Sequence, residues 1–234
     1  MRVLTSRRRI HISLLEFLFP PRCSICNVIL SPGSPICLCG QCAAEMDYFN
    51  NNINHLYLPD DYKIYCDGII CVGRYCSSLK KSIKKFKFSN RPSYYRTFGK
   101  LLALKVQNTP QLGEIDIIIP VPMHKNRQRQ RGYNQAELIA GFTAGQLGIK
   151  SENHVLIKTV ETKTQSLLSK SQRLSNLEGS FKVNLQKRIE GRSILLVDDI
   201  VTTGSTINQC CKALKLAGAE RVIAGVIATT RVDS

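Results

Sequence analysis

The segment from Ile194 to Thr206 constrains the fold more than any other part of the sequence. The apolar run Ile194–Val197 predicts a buried strand, two acidic residues follow it, and a turn rich in hydroxyl side chains comes next. Thr206–Leu216 then carries apolar residues at helical spacing, with Gly218 as terminator. A strand that passes through a short turn into a helix is half of a βαβ unit, and such units build parallel sheets.

The same alternation of strand and helix extends over residues 115–230. Gln135–Leu147 has helical spacing and ends before Gly148. The other predicted strands are Gly68–Tyr75, Ile115–Val121 and Val222–Ala228. We therefore expect an α/β fold, a parallel sheet with helices on both faces.

The turn after the acids has the chemistry of a phosphate site. Ligands of open α/β sheets bind beyond the carboxyl ends of the strands, where the start of a helix attracts an anion. The predicted phosphate-binding residues are Thr202, Thr203, Gly204, Ser205 and Thr206. Asp198 and Asp199 would repel a phosphate but can accept hydrogen bonds from a sugar diol, so a sugar phosphate fits. The alternative is an acidic strand end that caps a helix without any ligand.

Residues 124–135 form a second candidate anion site at a strand end. They contain five basic or titratable side chains and no acid before the next helix. Arg127 and Arg131 are the predicted pyrophosphate ligands, because bidentate arginine contacts suit phosphate oxygens, and Gly132 opens the backbone beside them. The alternative is a solvated basic loop that keeps the protein in solution.

Cysteines at metal-ligand spacing lie near the amino terminus. Two Cys-x₂-Cys pairs, Cys23/Cys26 and Cys39/Cys42, predict a structural Zn²⁺ site with four thiolate ligands. Cys37 leaves open a different second pair with Cys39. A metal would substitute for the core that this short segment lacks. The remaining cysteines are expected to be buried apolar thiols, namely Cys66, Cys71, Cys76, Cys210 and Cys211.

The segment from Ser77 to Lys105 is strongly basic and contains no acid. Its nucleic-acid candidates are Lys80, Lys81, Lys84, Lys85 and Lys87. Tyr94, Tyr95 and Phe98 follow among the positive charges, and aromatic rings can stack the bases of a single strand. The alternative is a solvated helix whose aromatic residues belong to the core.

The charge balance favours polyanionic partners, since 33 Lys and Arg against 17 Asp and Glu give a net charge of +16. No apolar run approaches the roughly 20 residues needed to cross a bilayer. Residues 10–18 predict an amphipathic helix beside Arg7–Arg9, which packs on the protein or lies on an anionic membrane. We expect a cytoplasmic protein, with membrane association through this helix as the alternative.

Residues 194–206 resemble the 5-phosphoribosyl-1-pyrophosphate (PRPP) motif of type I phosphoribosyltransferases. The rest of the chain is similar to the ComF family of competence-associated proteins. The resemblance rests on Ile119–His124, Arg127, the run Arg131–Ala136, and a further set: Thr162, Gln165, Arg173, Asn176 and Phe181. Lys158 departs from the family pattern, in which many relatives carry arginine.

This resemblance implies a zinc ribbon over residues 1–62, which include the amphipathic helix, and a type I phosphoribosyltransferase-like domain over residues 63–234. It implies that the arginine loop faces pyrophosphate, that Mg²⁺ accompanies PRPP, and that Asp198 and Asp199 act in catalysis. Thr162–Asn176 becomes the natural lid, with Lys158, Gln165 and Arg173 able to reach the ligand. Such proteins are linked to uptake of single-stranded DNA and to contact with the competence machinery.

Three functions remain open. The first is a ComF-like factor that binds PRPP or another phosphoribosyl compound and single-stranded DNA. The second is a metabolic phosphoribosyltransferase that transfers ribose 5-phosphate to a base or amine. The third is a non-catalytic PRPP-binding adaptor. The sequence gives no acceptor and no oligomeric state.

Overall fold

The structure of the chain is a computed structural model. The structure describes residues 19–34, 36–56, 58, 62–88, 92–160, 179–184 and 189–230. The predicted amphipathic helix over residues 10–18 lies outside these ranges, as does the predicted lid over Thr162–Asn176.

A five-stranded parallel sheet, in the order β1-β7-β6-β2-β3, forms the centre of the fold. A separate antiparallel pair is formed by β4 and β5, which lie between β3 and β6 in the sequence. The strands are β1 Gly68–Arg74, β2 Ile117–Pro120, β3 Lys150–Ser151, β4 Leu156–Lys158, β5 Phe181–Val183, β6 Ser193–Val201 and β7 Arg221–Thr229.

Helices cover both faces of the sheet. They are α1 Gly40–Ala44, α2 Ser77–Phe88, α3 Tyr94–Gln107, α4 Lys125–Arg131, α5 Gln135–Leu147 and α6 Ser205–Leu216, with a 3₁₀ turn at Pro110–Leu112. One apolar core holds α2, α3 and α5 against the sheet, and a second core holds α6 against the opposite face. The predicted α/β fold with helices on both faces is therefore confirmed.

Strand β6 is longer than the sequence predicts. The apolar run suggests that the strand stops at Val197, so that the two acids come after it. In the structure β6 continues to Val201, because its ladder with β7 includes Asp198↔Val226 and Val201↔Thr229. The acids are thus held by the sheet itself rather than by a loop.

The amino-terminal segment, which we call the cysteine ribbon (the described part of residues 19–44), packs on this domain. Its Ser24 hydroxyl is hydrogen-bonded to that of Thr97 in α3 at 2.9 Å. The chain after it forms isolated bridges to β1, at Tyr48↔Gly73 and Asn54↔Ile69. The division at residue 62 stays a prediction.

The buried ammonium group of Lys105 anchors the chain that follows the ribbon. It donates to the carbonyl oxygen of Phe49 at 2.9 Å, to that of Asn50, and to Oδ1 of Asn51 at 3.3 Å. Burial lowers the pKa of Lys105, but these acceptors supply the hydrogen bonds that a buried charge requires. Among the described helices, none has the length and apolar character needed to cross a membrane.

Candidate functional site

A cleft of about 360 Å³ opens where the carboxyl ends of β1, β2 and β6 meet. Both loops that the sequence predicts to bind anions contribute to its wall. Its polar and charged lining residues include Lys87, Arg127, Arg131, Lys158, Asp198, Asp199, Thr202 and Thr206. We call this cavity the sheet cleft. Its position is the one at which open α/β sheets bind ligands.

The two acids of β6 have different surroundings. The Asp199 side chain is almost fully buried, and its Oδ1 lies 2.8 Å from Nζ of Lys87, at the end of helix α2. Burial raises the pKa of Asp198 to about 7, and the charge of Asp199 adds to this, while Lys87 opposes both. Asp199 is thus compensated by a lysine, whereas Asp198 holds a proton up to about neutral pH.

The hydroxyl turn is tightly held. Gly204 has φ +82°, in the left-handed region, and precedes helix α6. A Cβ atom there would lie 2.6 Å from Cδ1 of Leu56, so only glycine fits beneath the chain that arrives from the ribbon. The hydroxyl groups of Thr203 and Ser205 are hydrogen-bonded to each other at 2.9 Å. The amide and hydroxyl groups of this turn are donors of the kind that an anion requires.

The arginine loop becomes the short helix α4. His124 caps it, since Nδ1 accepts a hydrogen bond from the Asn126 N–H at 3.4 Å, and Gly132 ends it with φ +83°. Arg131 donates to Oε1 of Gln135 at 3.0 Å, and its guanidinium carbon lies 5.4 Å from the centre of the Phe88 ring. Burial lowers the pKa of Arg131, and the charge of Arg127 adds to this. The two arginines therefore crowd positive charge at one wall of the cleft.

The structure brings most of the predicted ligand residues together. Lys158 also lines the cleft, whereas Gln165 and Arg173 lie outside the described residues. Sequence reasoning did not anticipate Tyr75, Phe88 or Gln135, which line the same cavity. Tyr75 directly follows β1 and Phe88 is the last residue of α2, and these positions at the ends of elements are the signal that could have identified them.

The five predicted nucleic-acid lysines do not share one environment. Lys80, Lys81, Lys84 and Lys85 are exposed on α2, whereas Lys87 lies in the cleft and pairs with Asp199. Tyr94 and Phe98 are buried and pack against each other, with ring centres 6.1 Å apart. These two aromatic residues belong to the core, which was the alternative given by the sequence.

Four cysteines of the ribbon form a cluster that could hold a metal ion. The Sγ atoms of Cys23, Cys26, Cys39 and Cys42 all lie within 4.8 Å of one another. The Cys26 and Cys39 sulfurs are 3.7 Å apart, close to the roughly 3.8 Å edge of a tetrahedron with Zn–S bonds of about 2.3 Å. Cys37 lies outside this group, so the structure favours Cys39/Cys42 as the second pair.

Within this cluster backbone amides favour the thiolate form of Cys23, whereas burial raises the pKa of Cys42. The pKa of Cys23 falls to about 6, against the effect of its burial, because backbone groups of Cys26, Cys39 and Ile25 are hydrogen-bonded to its sulfur. Thiolate is the form that binds metal. Among the cysteines outside the cluster that the sequence predicts to be buried, only Cys76 is exposed, because it precedes α2 at the surface. The buried ones are Cys66, Cys71, Cys210 and Cys211.

The α/β fold and a family model identify a phosphoribosyltransferase-like domain. Residues 134–233 match the family model described as "Phosphoribosyl transferase domain". Among solved structures, glutamine PRPP amidotransferase from B. subtilis, complexed with ADP and GMP, aligns at 20% identity with a TM-score of 0.42. That alignment covers 61% of this chain and 30% of the other.

Curated relatives narrow the class to one family. "Competence protein F" of Haemophilus influenzae is 35% identical over 188 residues, which are 79% of this chain and 81% of that protein. "DNA utilization protein YhgH" of Escherichia coli O6:H1 is 33% identical over 66% of this chain and 68% of that protein. The chain belongs to the ComF family of competence proteins.

Proposed function

We propose that this chain binds PRPP or a related phosphoribosyl compound together with Mg²⁺ in the sheet cleft, and that it handles single-stranded DNA in natural transformation. The observation that carries the proposal is the convergence of the acid pair, the hydroxyl turn and the arginine loop on one cavity. Each of these groups matches a different part of PRPP: the ribose diol, the 5-phosphate and the pyrophosphate.

The 5-phosphate belongs at the hydroxyl turn. Helix α6 begins at Ser205, so its first amide groups and the positive end of its dipole face the turn. Gly204 in the left-handed conformation lets the backbone curve around an anion, and hydroxyl groups from Thr202 to Thr206 add donors. This arrangement supports phosphate binding without any need for a charged side chain.

The ribose belongs at Asp198 and Asp199. Carboxyl oxygens accept hydrogen bonds from vicinal hydroxyl groups, and the raised pKa of Asp198 also gives this acid a proton to donate near neutral pH. Mg²⁺ prefers carboxylate and phosphate oxygens, so the donor set of the cleft fits this ion. When bound, Mg²⁺ would neutralise charge on the pyrophosphate.

The pyrophosphate belongs opposite the acids, at Arg127 and Arg131. Both side chains line the cleft and carry donors suited to phosphate oxygens. Cleavage at ribose C1′ would send negative charge toward them, and preorganised cations stabilise such charge best in a partly dry cavity. The described lining of the cleft does not identify an acceptor for the ribosyl group, so binding without transfer is the second candidate.

DNA handling is supported by charge and by the relatives. Four lysines of α2 are exposed on one helix that contains no acid, and the backbone of a single strand attracts such a row of cations. Relatives carry the names "Competence protein F" and "DNA utilization protein". We also propose that the ribbon cysteines hold structural Zn²⁺.

The test of the cleft is a calorimetric titration of Mg²⁺ and PRPP into the full chain and into Asp198→Asn/Asp199→Asn. We expect one ligand per chain, and an affinity that is at least about 100-fold weaker in the double variant, since hydrogen bonds to charged groups contribute about 1.5–3 kcal/mol each. Glu114→Gln, an exposed charge outside the cleft, is the matched control and should bind normally. Absent binding to the unaltered chain would refute the proposal.

Transfer is tested separately, by mixing the protein, Mg²⁺ and labelled PRPP with bases, nucleotides or DNA. Release of pyrophosphate that depends on an acceptor supports a transferase. Stable binding without release supports the adaptor.

A further inference from the structure

A second cavity lies between the cysteine ribbon and the helices beside it, away from the sheet cleft. It has a volume of about 410 Å³, within the range of small-molecule sites. The ribbon contributes Pro21, Gly33, Ser34 and Cys37 to its wall, and the domain contributes Tyr95, Arg96 and Phe142. We call it the ribbon groove. None of its lining residues within the described part of the chain is acidic.

Two aromatic rings form the domain side of the ribbon groove. The rings of Tyr95 and Phe142 meet edge to face, with centres 5.6 Å apart and planes at 70°. Both side chains are half-buried, unlike Tyr94 and Phe98, which fill the core. Phe142 is seated over Gly99, where an added Cβ would lie 2.9 Å from its ring. The rings are therefore fixed in place, with part of their surface facing the groove.

Cations accompany these rings. The Arg96 guanidinium lies 5.8 Å from the centre of the Tyr95 ring, and its Nε donates to the Tyr95 hydroxyl at 3.2 Å. Lys100, one turn later on α3, donates to Oε1 of Gln146 at 2.8 Å. Arginine held beside an aromatic platform, with no carboxylate in the wall, is the combination on which proteins stack unpaired bases and hold the adjoining phosphates.

We propose that the ribbon groove is the base-stacking site of the DNA interface, where Tyr95 and Phe142 receive a base of single-stranded DNA and Arg96 faces its backbone. This inference rests on the DNA handling proposed above and assigns it a place. Stacking requires the open face of an unpaired base, so the groove selects single-stranded over double-stranded DNA. The exposed lysines of α2 add positive charge that attracts the DNA backbone without selecting single strands over duplexes.

The absence of tryptophan from the chain permits a direct test. Tyr95→Trp places a unique indole in the groove, and Tyr62→Trp places one outside it. The probe is an oligothymidine of roughly 20 nucleotides, longer than the segment that one such site covers. An abasic strand of equal length is the control, because it keeps the backbone and lacks the bases. We expect oligothymidine to quench Tyr95→Trp, the abasic strand to leave it unchanged, and Tyr62→Trp to respond to neither.

Affinity gives a second measurement. Tyr95→Leu should bind oligothymidine roughly tenfold more weakly, as loss of one stacked base implies, while Tyr95→Phe should stay within about twofold of the unaltered chain. If both variants have the same thermal midpoint of unfolding as the unaltered chain, the fold is retained. If Tyr95→Leu proves unstable, Arg96→Ala provides the alternative, since that side chain is exposed.

The outcomes separate this inference from the proposed function. If the unaltered chain binds no oligothymidine at low salt, DNA handling itself fails. If it binds but Tyr95→Trp is not quenched and Tyr95→Leu binds normally, only the ribbon groove assignment fails. Equal affinity for duplex DNA, or tighter binding of oligouridine than of oligothymidine, would also overturn the assignment.

Discussion

The sheet cleft and the ribbon groove have similar volumes, about 360 and 410 Å³, but their walls differ in chemistry and in origin. The cleft joins two carboxylates and a hydroxyl turn at the end of β6 with cations from α2, α4 and β4. The groove has aromatic rings and an arginine, and four of its seven lining residues come from the ribbon. The cleft is thus suited to a small, highly charged sugar phosphate, and the groove to an uncharged base on a charged strand.

The two sites also differ in what their shape depends on. The cleft is fixed by hydrogen bonds between parallel strands and by a turn that only glycine can form beneath Leu56. The groove exists only while the ribbon is folded against α3, and the ribbon has a core of three buried residues, two of them cysteines of the cluster. Perturbing the ribbon should therefore remove one site and leave the other.

The largest effect is expected from loss of the metal. Cys39→Ser removes a member of the cysteine cluster, whereas Cys37→Ser removes a thiol outside it. We expect one Zn²⁺ per chain in Cys37→Ser and none in Cys39→Ser. The effect should be large, because structural zinc contributes on the order of 10 kcal/mol to the folding of such segments. Elemental analysis and titrations with both ligands will measure this. Zinc-free Cys39→Ser should bind PRPP but lose single-strand preference, and a variant that loses both would contradict the separation of the sites.

A substitution at the hydroxyl turn should have the opposite effect, because it should impair PRPP binding and leave DNA binding intact. Gly204→Ala adds both left-handed strain and a clash with Leu56, whereas Gly148→Ala adds strain alone, since nothing lies within 4 Å of its Cβ position. We expect unfolding free energy to fall by about 1 kcal/mol in Gly148→Ala and by about 2–3 kcal/mol in Gly204→Ala. Urea unfolding and calorimetry test this prediction. PRPP binding should be lost only in Gly204→Ala, with DNA binding intact; unchanged PRPP affinity would count against the turn as the phosphate site.

Substitutions of two lysines in helix α2 should distinguish the effect of the ion pair in the cleft from the effect of positive charge on the surface. Lys87→Gln leaves the buried Asp199 without its 2.8 Å partner and should cost about 3 kcal/mol of stability, with little change in DNA affinity. Lys84→Gln, on the exposed face, should leave stability unchanged and reduce the salt slope of single-strand binding by about 0.7. Denaturation and salt-dependent anisotropy measure these effects. Equal effects of the two substitutions on DNA binding would place Lys87 on the outer surface after all.

The smallest expected effect is a pH dependence of stability. The pKa of Asp198 is raised to about 7 in the folded protein and is about 3.9 when unfolded, so the folded state holds the extra proton between these values. The stability that this proton contributes is complete below pH 4 and is lost as pH rises through 7. Asp198→Asn should reduce that decline by about 1–2 kcal/mol in unfolding measured without ligand. An identical pH profile for Asp198→Asn and Glu114→Gln would show that Asp198 is not desolvated.

The sequence contained enough information for the parts of the fold that are local. Residues 194–206 form the strand, turn and helix in consecutive order, and the Cys-x₂-Cys spacings predicted the two pairs that cluster in the structure. Helix α5 spans the predicted range Gln135–Leu147, because Asn134 caps its start and Gly148 its end.

Contacts between distant segments could not be predicted in the same way. Lys87 belongs to the same basic helix as Lys84, and the packing of α2 directs it to Asp199. The contact between Leu56 and Gly204, and the pairing of Tyr95 with Phe142, likewise arise from tertiary packing. Side chains of equal sequence character thus divide between core, cleft and groove according to where the sheet places their elements.

The most direct test of the central claim is a crystal structure of the full chain with Mg²⁺ and PRPP. We expect the 5-phosphate at the amide groups of residues 202–206, the ribose hydroxyl groups at Asp198 and Asp199, and the pyrophosphate beside Arg127 and Arg131. A turn that remains empty, with PRPP bound elsewhere or not at all at saturating concentration, would refute PRPP binding in the sheet cleft.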